Sequence, residues 1–148
     1  MNARKTFRIF SLLAALLAMA FLAACDSKEV KPVSTESKTA LESFSVVEAV
    51  RQAFIKNDKD GVLSHATEAG LKSIMVNNKA YSSVKLSFTP RWVEIEEGKV
   101  TLNVSWESTW TLGDKTLEDR GMAVFTLDGA PLKISKVEGA NPFVMPAQ

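Results

Sequence analysis

The stretch KVTLNVSWESTWTL occupies residues 99–112. Val100, Leu102, Val104, Trp106, Trp110 and Leu112 share one parity; Thr101, Asn103, Ser105, Glu107, Thr109 and Thr111 share the other. Successive side chains of a strand point to opposite faces. A period of two held over about 13 residues therefore predicts a long strand with one covered face and one polar face. Trp106 and Trp110 lie on the same face, about 13 Å apart along the strand.

Working outward, Glu96-Glu97-Gly98-Lys99 reads as a turn that joins this strand to an earlier one. There Val84, Leu86 and Phe88 alternate with Lys85, Ser87 and Thr89, and Val93 and Ile95 resume the apolar series after Pro90, Arg91 and Trp92. A phase slip of one residue beside a proline predicts a bulge or bend within one long strand. Downstream, Leu112-Gly113-Asp114-Lys115 makes a second turn, and residues 116–127 form a third strand with weaker alternation. Asp128-Gly129 signals a hairpin, because a primed turn requires positive φ. Leu132, Ile134 and Val137 mark the last strand, and Asn141-Pro142-Phe143 closes the domain.

The half before the strands reads helical. Ser45-Val46-Val47-Glu48 fits a capping box, and Val47, Val50, Ala53 and Phe54 follow at helical spacing. Residues 56–61 are a polar break. A short second helix is expected from about Asp60 to Ala66 with Val62 and Leu63 inward, and a third is marked by Leu71, Ile74 and Met75. Helices followed by a meander define an α+β fold, with N-terminal helices packed on a curved antiparallel sheet of about four long strands.

The N-terminus has a different character. Arg4, Lys5 and Arg8 precede an apolar run from Ile9 to Ala24 that only Ser11 interrupts. This layout suits a secretory signal better than a spanning helix, which needs roughly 20 apolar residues. The run ends in Leu22-Ala23-Ala24-Cys25, and Cys25 is the single cysteine. These four residues resemble the lipobox of bacterial lipoproteins. The resemblance implies cleavage before Cys25, a diacylglyceryl thioether on its sulfur and often an acyl group on its new amine, and so an anchor in the cell-envelope membrane. In enteric members an aspartate directly after the cysteine favours the inner membrane; Asp26 implies that destination, with the outer membrane as the alternative. Without that family, a lone cysteine is a free thiol or pairs with another chain.

Residues 1–24 then form a signal peptide, residues 25–40 a polar tether and residues 41–148 the domain. Composition supports the tether, since DSKEVKPVSTESKTA lacks apolar periodicity. Its mean span would be about 20 Å. Residues 1–24 hold three of the 18 basic residues and none of the 17 acidic ones, which leaves 15 against 17 and a formal charge of −2. Such a balance gives no support for nucleic-acid binding by bulk charge.

Two stretches carry a resemblance of the domain itself. One is Val47-Glu48-Ala49-Val50-Arg51-Gln52-Ala53-Phe54 with Asn57-Asp58-Lys59-Asp60-Gly61-Val62-Leu63. The other is Asp128-Gly129 with Leu132-Lys133-Ile134 and Gly139-Ala140-Asn141-Pro142-Phe143. Over residues 41–143 the chain resembles the nuclear transport factor two-like superfamily, the cystatin-like cone. That resemblance implies a pocket between sheet and helices. Some members are isomerases or dehydratases with a carboxylate, histidine or tyrosine inside the cone; others bind ligands or partners, and many pair through their sheets.

Few residues here offer chemistry. His65 is the only histidine and Tyr81 the only tyrosine. Asp119 is the remaining candidate acid. No cluster has metal-ligand spacing, no glycine-rich loop cradles phosphate and no serine sits in a nucleophile elbow. No cofactor and no metal is expected. Trp92, Trp106 and Trp110 admit three readings: core filling, the lining of a pocket for a small apolar ligand, or an exposed face that meets a protein partner. Three functions follow: a non-catalytic binding domain on a lipid anchor, a small isomerase or dehydratase using His65, Tyr81 or Asp119, and a dimerising module.

Overall fold

The computed structural model describes residues 34–76 and 80–147. The signal, the lipobox with Cys25 and most of the polar tether lie outside the described residues. Three helices precede four strands: α1 (Thr35–Ile55), α2 (Lys59–His65), α3 (Glu68–Ile74), β1 (Ser83–Glu96), β2 (Lys99–Leu112), β3 (Lys115–Asp128) and β4 (Lys133–Gly139). The strands form one antiparallel sheet in the order β1-β2-β3-β4. The α+β expectation holds, and the period-two stretch is β2 along its whole length.

The first helix begins earlier than the capping box suggested. Ser34 caps it, its side chain accepting from the amide of Ser37, and Glu36 places a negative charge in the first turn. Residues 35–40, read as tether, are its first turns. Ser45 lies inside the helix, and its hydroxyl donates to Leu41 O at 2.9 Å. Glu48 does not reach back to cap but clamps Arg51, with Oε2 accepting from Nε at 2.7 Å. Leu63, expected inward, is exposed, as is Met75, while Val62 and Ile74 are buried. A seven-residue helix lying on α1 presents one narrow stripe, and Val62 fills it.

One face of the sheet meets the helices. Val84 and Leu86 of β1, Val100 to Trp110 at even positions of β2, Ala123, Phe125 and Leu127 of β3, and Ile134 of β4 are buried there with Val47, Val50, Phe54 and Phe143. α1 packs against β1, β2 and β4, and α3 against β4. Gly70 of α3 sits so close to β4 that a Cβ would stand 2.1 Å from Ile134 O. The Thr67 amide donates to that oxygen at 2.9 Å, and Asn141 Nδ2 donates to Ser73 O at 2.7 Å.

The register of β1 on β2 shifts between Pro90 and Trp92, which leaves Arg91 as the extra residue of a bulge. Before it, Phe88 and Pro90 pair with Trp106 and Val104 on the helix-facing side. After it, Trp92 pairs with Asn103 on the opposite side. One inserted residue has turned Trp92 away from the core. The hairpin at Asp128-Gly129 forms with Gly129 at φ 89°, through residues 129–132 and with a cis Ala130-Pro131 bond, so Leu132 lies in the connection and not in the strand.

Candidate functional site

The three tryptophans have two fates. Trp110 is fully buried; its Nε1 donates to Ser108 Oγ at 3.1 Å and its ring meets Phe54 and Tyr81 edge-on. Trp106 is 2% exposed, and its Nε1 donates to Ala140 O at 2.8 Å. To reach Ala140 the indole crosses β3 over Gly121, its register partner, where a Cβ would stand 3.0 Å from the ring. Core filling is the reading these two support. Trp92 is 49% exposed.

His65, Tyr81 and Asp119 occupy three separate places. His65 Nδ1 lies 2.9 Å from Gly61 O and 2.8 Å from Ser64 Oγ, within its own helix. A carbonyl only accepts, so the first contact calls for a proton on Nδ1. Tyr81 is half-buried with its ring 4.8 Å from Trp110, and its hydroxyl donates a long 3.4 Å bond to Asn57 Oδ1. Burial raises its pKa above the ordinary 10.0, because the phenolate loses hydration it would have in water. Asp119 is exposed, with Oδ1 accepting from the Arg120 amide at 2.8 Å.

Two hollows include members of this set, one each. A cleft of about 320 Å³ is lined by Phe54, Val62, Met75, Val76 and Tyr81, with Asn57, Asp58 and Lys59 on its polar side. The other, about 490 Å³, is polar and bounded by Glu107, Ser108, Thr109, Glu118, Asp119 and Arg120. His65 lines neither. The isomerase reading needs at least two of His65, Tyr81 and Asp119 in one cavity, and neither hollow holds more than one of them. Among the described residues no three His, Cys, Asp or Glu side chains gather in a way that holds a metal ion.

The far side of the sheet carries the polar face expected of residues 99–112, together with an apolar cluster on it that sequence reasoning missed. Paired residues of adjacent strands share a face, so the register rows give its layout. One row is Trp92, Asn103, Val124 and Glu138; the next is Thr89, Ser105 and Met122. Trp92 and Met122 are both exposed and Val124 is half-buried, which sets an apolar cluster in a face otherwise made of Thr, Ser and charged side chains. Asn103 Oδ1 in the middle is buried without a hydrogen-bond partner. An acceptor in that state costs about 1–3 kcal/mol. The signal was present in β3: residues 122–125 read Met-Ala-Val-Phe, an unbroken apolar run, and a strand apolar at both parities has something to cover on both faces.

The edge of β1 is guarded from the helix side. Arg51 donates through Nη1 to Leu86 O and pairs through Nη2 with Glu48 Oε1. The hydrogen bond from Arg51 holds the Glu48 carboxyl below its ordinary 4.5, and desolvation opposes this only in part.

No protein-family model matches the chain, and neither a curated protein nor a solved structure matches it.

Proposed function

We propose that this chain is a bacterial envelope lipoprotein, anchored through lipid on Cys25 and most consistent with the inner membrane, whose domain acts by binding and not by catalysis. The binding surface is the far face of the sheet around Trp92, Met122 and Val124. One observation carries the reading: large apolar side chains stand exposed beside an unpaired buried acceptor, on a face the helices do not cover. About half of a tryptophan's surface amounts to roughly 100 Å², and covering it would contribute roughly 2.5 kcal/mol. The dispersal of His65, Tyr81 and Asp119 supports binding over the isomerase or dehydratase alternative. The order of three helices and a four-strand meander supports a nuclear transport factor two-like domain.

Oxidative footprinting tests this reading. Trp92 and Met122 should be modified readily in the purified chain and protected in intact envelopes. Equal modification in both settings would refute it. The cleft at Tyr81 favours a second reading, a small apolar ligand seated on Phe54, Val62 and Met75. Such a ligand would change the fluorescence of Trp110 through Tyr81, and Tyr81→Ala would abolish the change.

A further inference from the structure

We infer that the second half of β1 accepts an added strand: an extended peptide segment of another protein in which apolar and basic residues alternate. The inference goes beyond the far-face surface proposed above and shares only Trp92 with it. β1 is an edge of the sheet, with β2 on one side only. Every second residue of such a strand turns its N–H and C=O away from the sheet. In the first half of β1 that edge is guarded, since Arg51 Nη1 donates to Leu86 O. Among the described residues only β2 bonds the backbone of residues 88–96. The side chains change there as well. Val84 and Leu86 are buried, but every residue from Thr89 to Glu94 is exposed, while Val100, Leu102 and Val104 of β2 beside them are buried. The covered core stops at β2 in this part of the sheet.

Trp92 is 49% exposed and Val93 38%. Their register partners are Asn103 on the open face and Leu102 on the helix side, so the two point to opposite sides of the sheet. A partner laid on either face covers one of them. A strand added along the edge flanks both, because its own side chains alternate between the same two faces. This geometry also sets the sequence of the occupant. On the helix side it lies beside Val93 and the half-buried Ile95, which calls for apolar residues. On the open side it lies beside Trp92, Glu94 and Glu96, and Glu97 follows in the turn. None of these three carboxylates forms an ion pair among the described residues, so basic residues match them, and a basic side chain also packs on the indole. A second copy of this edge fits poorly. In the register that sets Val93 against Ile95, Glu94 meets Glu94 of the other copy, and like charges directly opposite destabilise a strand pair.

Amide hydrogen exchange of the full chain in detergent tests the inference, with a blocked seven-residue peptide that alternates lysine and valine as the probe. The peptide should slow exchange at alternate amides among residues 92–96. Replacing its third and fourth residues by proline should abolish the effect, because one of the two positions must donate to the ladder. Glu94→Lys combined with Glu96→Lys should raise Kd about tenfold, since two attractive cross-strand pairs become repulsive. A peptide with glutamate in place of lysine should bind that variant as the lysine peptide binds the wild type. A wild type whose amides do not respond overturns the inference, and so does binding that survives the prolines or ignores the charge reversals. Protection of the same amides in the chain alone, lost on dilution, also overturns it and makes the occupant a second copy. Met122 lies on β3, away from this edge, so its footprint in envelopes tests the far-face surface separately. Either claim can fail while the other stands.

Discussion

Replacing Gly70 by alanine should reverse the sign that helix propensity gives. Alanine is favoured over glycine inside a helix by about 1 kcal/mol. At position 70, however, the new methyl carbon would stand 2.1 Å from Ile134 O and 2.9 Å from Ile134 C. Carbon and oxygen approach to about 3.3 Å without repulsion, so α3 must withdraw from β4 by about 1 Å. The atom in the way is backbone and cannot swing aside. Withdrawal stretches the Thr67 bond to that same oxygen and the Asn141 bond to Ser73, and loosens the buried Ile74. Overpacking costs about 1–3 kcal/mol, and a weakened part-buried hydrogen bond about 1 more. After the propensity gain, the net loss is about 1–3 kcal/mol, a fall of about 5–15 °C in Tm for a domain of this size. Thermal unfolding followed by circular dichroism measures it, with Ala69→Gly as the companion variant. Residue 69 is exposed on the same helix, and there the glycine should cost only about 0.5–1 kcal/mol. A Gly70→Ala domain that melts at or above the wild type would refute the close approach of α3 to β4.

Trp110→Ala should destabilise by about 3–5 kcal/mol in urea titration, since a fully buried indole is removed from between Phe54 and Tyr81. The chain has one tyrosine, so tyrosinate absorbance reports Tyr81 alone; its midpoint should lie above 10, and the stability it confers should be complete below 10 and fade as pH rises through the folded value. Glu48 runs the opposite way: its folded pKa is depressed, so its contribution is complete above about 4.5 and is lost as pH falls through the lower folded value, and Glu48→Gln should flatten that acid limb of the stability curve. A Cys25→Ala precursor should incorporate no labelled fatty acid and should not be processed before residue 25; normal processing would sink the lipobox reading.

Much of the sheet was legible because a strand records its two environments in alternating residues. Residues 99–112 showed the covered and open faces of β2 directly, and the slip at Pro90 to Trp92 showed the bulge. The helices were less legible. A capping box is a local pattern, and Ser45 and Glu48 satisfy other partners inside a helix once Ser34 has started it upstream. Leu63 and Met75 are apolar residues beside the core stripe, and only the packing of α2 on α1 and α3 on β4 decides which side chains the stripe can hold. The candidate site followed the same division. His65, Tyr81 and Asp119 were chosen by chemical type, and type carries no information on convergence. Met122 and Val124 were visible as part of an apolar run, but which of its residues face the helices depends on register.

The sequence by itself determined the order of helices and strands, the turns, the bulge and the change of character at Cys25, because each is written in local spacing and in the preferences of single residues. Tertiary structure alone decided the fates of the three tryptophans. Trp106 and Trp110 lie under the helices and fill the core, while one inserted residue at Arg91 turns Trp92 to the other side of the same sheet. Parity says which residues share a face. Which face the helices cover depends on contacts between segments far apart in the chain, and those exist only once it has folded.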